Sequence, residues 1–79
     1  MSILPILTAV KILQTLLRGG YYIIRQTASH VQLKHLKDPR IFVTVARHSR
    51  DITRKTLASI LKQSRLSVEE FLRLLGKKK

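Results

Sequence analysis

Tyr21-Tyr22-Ile23-Ile24-Arg25-Gln26-Thr27-Ala28-Ser29-His30-Val31-Gln32-Leu33-Lys34 is the stretch that decides the fold. β-Branched and aromatic residues flank a short run of small polar ones, the pattern of two strands joined by a tight turn. In the second strand Val31 and Leu33 alternate with His30, Gln32 and Lys34, giving one apolar and one polar face. With Thr27-Ala28 as a two-residue turn, Ile24 pairs with Val31 and Tyr22 with Leu33 on the core side. The same register sets Arg25 beside His30, and Ile23 beside Gln32, on the opposite face. An imidazole next to a guanidinium on an open sheet is the beginning of a phosphate-handling site.

Upstream, Gly19-Gly20 mark the end of a helix, because glycine takes the left-handed conformation common just past a helix C-terminus. Thr8 is its N-cap, and the helix spans about Ala9 to Arg18. Ala9, Val10, Ile12, Leu13, Leu16 and Leu17 form its apolar face, with Lys11, Gln14, Thr15 and Arg18 opposite. Met1 to Leu7 reads as an extended lead-in, held out of helix near Pro5.

Downstream, Leu36-Lys37-Asp38-Pro39 is a turn, and Arg40 to Ala46 a third strand. Ile41, Val43 and Val45 share one face of it and Phe42, Thr44 and Ala46 the other. Both faces are fairly apolar, which suggests the best-covered strand of the three. Arg47 to Ile52 reads as a polar, basic loop containing His48 and Arg50. Thr53 caps a second helix, Arg54 to Gln63, with the stripe Leu57, Ala58, Ile60 and Leu61. Ser67 and Glu70 form a capping box, and Leu66 can staple to Phe71, so a short third helix runs from Val68 to Leu75 and stops at Gly76. The order is helix, three strands, helix, short helix. It predicts an α+β fold of the double-stranded-RNA-binding-domain kind: a three-stranded antiparallel sheet with helices on one face. Residues 1–79 read as one domain, with Lys77-Lys78-Lys79 a basic tail.

Sixteen Lys and Arg against four Asp and Glu give a net charge of +12. Such a chain attracts a polyanion: nucleic acid, an acidic protein or an anionic membrane. The absence of cysteine removes disulfides and thiolate metal sites. Three histidines on separate segments and four carboxylates show no metal-ligand spacing, so neither metal nor cofactor is expected. There is no Gly-rich phosphate loop and no Ser-His-Asp set. The apolar run Met1 to Leu17 lacks the basic start and cleavage site of a signal peptide and is too short to span a bilayer. A cytosolic protein is therefore expected.

Taken in order, Leu4-Pro5-Ile6-Leu7-Thr8, Gly20-Tyr21 with Arg25-Gln26, Ala28-Ser29-His30-Val31, Val43-Thr44-Val45 with His48, Thr56-Leu57-Ala58-Ser59-Ile60-Leu61 and Leu66-Ser67-Val68-Glu69-Glu70-Phe71-Leu72 resemble HicA toxins from about Leu4 to Leu75. The resemblance implies a small bacterial toxin of a type II toxin–antitoxin pair, an endoribonuclease that cleaves mRNA and is held inactive by a HicB-type antitoxin. The family's catalytic histidine stands in a Gly-Ser-His motif, matched here by Ser29 and His30, with Ala28 where the family has glycine. A glycine there would supply the positive φ of a hairpin turn. Arg54-Lys55 likewise replaces the Pro or Lys, then Gly, usual before Thr-Leu.

Metal-free RNA cleavage needs a base for the 2′-hydroxyl, donors for the phosphate and a proton for the departing 5′-oxygen. A histidine with an ordinary pKa near 6.5 can do the proton work. His30 is assigned proton transfer, Arg25 and Lys34 phosphate charge, and Gln32 or Ser29 positioning. The plainer alternative makes His30 a surface histidine on a solvated strand. His35, on the other parity and near a turn, reads as a structural histidine. His48 is either a second proton carrier or a loop residue. Tyr21, Tyr22 and Phe42 can stack on bases, although core packing is the commoner fate of such strand aromatics. Two other functions remain at this level. One is a non-catalytic RNA-binding module, for which Arg54-Lys55 is a short version of the usual Lys-rich helix start. The other is a membrane-surface protein, disfavoured because the strands and turns require a folded core.

Overall fold

The computed structural model describes residues 4–47 and 51–76, so His48, Arg50 and the Lys77–Lys79 tail lie outside the described residues. Its elements are β1 (Leu7–Thr8), α1 (Ala9–Arg18), β2 (Tyr21–Gln26), β3 (His30–His35), β4 (Phe42–Ala46), β5 (Asp51–Ile52), α2 (Arg54–Ser64) and α3 (Val68–Leu75). The fold is α+β, with a three-stranded antiparallel sheet ordered β2-β3-β4. It is compatible with the double-stranded-RNA-binding-domain arrangement.

The helices begin and end where side chains can satisfy their unpaired backbone groups. Thr8 and Thr53 accept hydrogen bonds from the N–H groups of Lys11 and Thr56, at 3.2 and 3.1 Å. Ser67 and Glu70 close a reciprocal capping box on α3. Gly19 ends α1, and Gly20 follows at φ +91. The buried side of α1 is narrower than its sequence suggests, because Val10 and Leu17 stay on the surface while Thr15 is buried. The Thr15 hydroxyl donates to the Lys11 carbonyl at 2.8 Å, so its polar atom is satisfied within the helix. On α2, Leu57, Ile60 and Leu61 are buried and Ala58 is exposed.

One face of the sheet meets the helices: α2 packs on β4, α1 on β2 and β4, and α3 on α1. Val31, Leu33, Val43 and Val45 are fully buried there against Ile12, Leu16, Leu57 and Phe71. Long-range side-chain hydrogen bonds tie the elements together. The Tyr21 hydroxyl donates to the Ser64 carbonyl at 2.6 Å, and Arg18 Nη1 donates to the Leu74 and Leu75 carbonyls at 3.1 and 3.3 Å.

The strand expected to be best covered, β4, is in fact an edge, and β3 is central. Its open side carries Phe42, which is exposed, while Thr44 N–H is taken by Gln63 Oε1 at 3.0 Å. Arg40 lies outside the strand, paired with Asp38. The lead-in and the polar loop also differ from expectation. Leu7 and Thr8 pair with Ile52 and Asp51 in a separate two-stranded ribbon that buries Ile52. Segments of this length are too short to display a strand period.

Candidate functional site

The hairpin turns one residue later than expected. Thr27 N–H donates to the His30 carbonyl at 2.8 Å, leaving Ala28 and Ser29 as the central turn residues. Thr27 Oγ1 accepts from His30 N–H at 3.0 Å and from Ser29 N–H at 3.4 Å, an additional anchor that sequence reasoning missed. The available signal was a threonine preceding two backbone donors in a turn. Arg65 is the only non-glycine with positive φ among the described residues, so Ala28 sits in an ordinary backbone conformation. The turn does not need the family's glycine.

A turn without positive φ does not match the twist of the strands it joins. The pairing shifts register through a bulge between Ile23 and Arg25, and a bulge adds local twist. Tyr22 therefore pairs with Lys34, Ile23 with Leu33, Arg25 with Gln32 and Gln26 with Val31. This corrects the expected register: Arg25 is not opposite His30, and Tyr22 leaves the core side.

The open face then consists of three rows. His30 pairs with Ala46; Arg25, Gln32 and Thr44 form the middle row; Tyr22, Lys34 and Phe42 form the third. The four candidates His30, Arg25, Gln32 and Lys34 share this face. Ser29 stands in the turn at its end, with Oγ 3.0 Å from His30 Nδ1. The Ser29 carbonyl accepts Arg47 N–H at 2.7 Å, which fixes the turn against the end of β4. His30 itself is exposed.

The other described histidine is committed to the scaffold. Lys37 N–H donates to His35 Nδ1 at 3.1 Å, so Nε2 carries the hydrogen and donates to the Gly19 carbonyl at 3.1 Å. Its ring meets Tyr21 edge-on, with centroids 4.6 Å apart. Tyr21 is buried with its hydroxyl bonded, and burial pushes its phenol up from the ordinary value.

None of the three rows contains a carboxylate. Asp38 is paired with Arg40, whose hydrogen bonds hold its carboxyl below the usual value. Glu70 is held low by the backbone N–H of Ser67. Arg25 and Lys34 thus put positive charge on rows that hold no carboxylate. Among the described residues no cluster of His, Cys, Asp and Glu could hold a metal ion, and no helix is long and apolar enough to cross a membrane.

The model of the family described as "HicA toxin of bacterial toxin-antitoxin" matches residues 10–66. The chain belongs to the HicA toxin family. Membership makes it the toxin of a toxin–antitoxin pair and implies an antitoxin partner. The match runs from the second residue of α1 through the three-stranded sheet and α2, and ends before α3. No curated protein and no solved structure matches the chain.

Proposed function

We propose that this HicA family member is a metal-independent endoribonuclease that cleaves mRNA in the cytoplasm with His30, and that a HicB-type antitoxin silences it by covering the open sheet face. The observation that carries this reading is an exposed imidazole, held through Nδ1 by Ser29, at the end of a carboxylate-free face bearing Arg25, Gln32 and Lys34.

If Nδ1–H donates to Ser29 Oγ, Nε2 keeps its lone pair and can take the proton of a ribose 2′-hydroxyl. The 2′-oxygen attacks the adjacent phosphorus, and the bond to the 5′-oxygen breaks. The imidazolium so formed returns a proton to the departing oxygen. Arg25 offsets charge on the phosphoryl oxygens and the Gln32 amide donates to one of them, while Lys34, further along β3, offsets the charge of a neighbouring phosphate of the same strand. Ser29 acts as a positioning residue. Binding through backbone charge alone carries no sequence preference and weakens steeply with salt.

The test is the chemistry of the ends. In excess EDTA the protein is expected to cut a long single-stranded RNA to 2′,3′-cyclic phosphate and 5′-hydroxyl termini, and to leave a fully 2′-O-methylated strand intact. Cleavage that requires a divalent ion, or that yields 5′-phosphate ends, overturns the mechanism. Binding without cleavage makes the chain an RNA-binding module and refutes the enzyme.

A further inference from the structure

We propose that Tyr22 and Phe42 form a base-stacking platform that seats single-stranded RNA beside the His30 site. This rests on the reading of the open sheet face as the RNA-cleaving surface. The two rings belong to the two edge strands, and both pair in register with Lys34 on the central strand. They are 39% and 44% exposed, whereas neighbouring Tyr21 is 5% exposed. Aromatics normally fill a core, yet these two face outward on the same side of the sheet as His30.

Two strand spacings separate the backbone positions of Tyr22 and Phe42 by about 10 Å, with Lys34 on the strand between them. Four residues along β3 put this row about 13 Å from His30, within a few nucleotides of a phosphate at the imidazole. One nucleotide strand can satisfy all three groups, its bases stacking on the rings and the intervening phosphate meeting Lys34. The row fits RNA better than the centre of a protein interface, where lysine is depleted, so an antitoxin covering this face would have it near the rim. Bases in a duplex are already stacked on each other, so the platform selects single strands.

The test measures binding of a fluorescent, uncleavable 2′-O-methyl oligonucleotide of about a dozen nucleotides. The same sugar-phosphate strand with abasic positions isolates the contribution of the bases. The proteins are the parent, Tyr22→Ala, Phe42→Ala, the double variant, and Tyr22→Phe, which keeps the ring; melting curves confirm that each is folded. The parent is expected to prefer the base-bearing strand, and each alanine to cost roughly 5- to 150-fold on that strand alone. Tyr22→Phe should bind like the parent. The double variant should no longer distinguish the two strands. Unchanged discrimination in the double variant overturns the platform, as does a parent that cleaves RNA yet binds both strands equally. A parent that neither binds nor cleaves RNA removes the enzymatic reading as well. If the double variant keeps its oligonucleotide affinity but no longer forms a complex with co-expressed antitoxin, the row is a protein-docking patch and the platform is refuted.

Discussion

The Tyr21 hydroxyl donates a 2.6 Å hydrogen bond to the carbonyl of Ser64, joining the first residue of β2 to the last of α2. The bond is buried, so removing the donor leaves a carbonyl without its partner away from water. Tyr21→Phe should cost about 1–3 kcal/mol of stability. At about 4–8 °C per kcal/mol for a chain of this size, the loss is visible in a melting curve. RNA cleavage at low temperature should be unchanged, because the ring remains against His35.

Ala28 occupies the turn without positive φ, although the family places glycine there. Ala28→Gly therefore relieves no strain and chiefly enlarges the freedom of the unfolded chain. It should lower stability by about 0.4–1 kcal/mol in urea unfolding, with no gain in cleavage rate. A faster enzyme would show that the parent turn holds Ser29 and His30 poorly.

Gly20 has φ +91, and a Cβ there would meet His35 Nε2 at 3.2 Å. Gly20→Ala combines backbone strain with pressure on the ring that bonds the Gly19 carbonyl. A loss above about 1 kcal/mol is expected, measured by thermal unfolding, while Gly76→Ala, where added carbon meets nothing closer than 3.6 Å, should be milder.

Glu70 accepts the backbone N–H of Ser67, and that bond lowers its pKa in the folded protein. A lowered carboxyl contributes stability above its unfolded pKa, about 4.3, and loses it as pH falls through the folded value. Acidification should therefore weaken α3 through this residue. Glu70→Gln should show a smaller stability loss between neutral pH and pH 3 than the parent does.

The helices were legible because their signals are local: Thr8, Thr53 and Ser67 cap them, and Gly19 and Gly76 end two of them. Alternation likewise placed His30, Gln32 and Lys34 on one face. What was not legible depends on pairing. Moving the turn from Thr27-Ala28 to Ala28-Ser29 and inserting one bulge separated Arg25 from His30 and turned Tyr22 outward. Thr27 is the one local hint of the turn, and the bonds by which it holds Ser29 and His30 exist only once the turn has formed. The β1–β5 pairing is similarly long-range. Thr15 was misassigned because a hydroxyl that bonds its own helix can be buried like a methyl group.

The central claim is that His30 carries the chemistry. Its most direct test is cleavage of a long single-stranded RNA in excess EDTA by the parent and by His30→Ala, with melting curves showing both folded. Cleavage by the parent and none by His30→Ala, with RNA binding retained in both, is the predicted result. Cleavage by His30→Ala at the parent rate would contradict it and move the active site elsewhere.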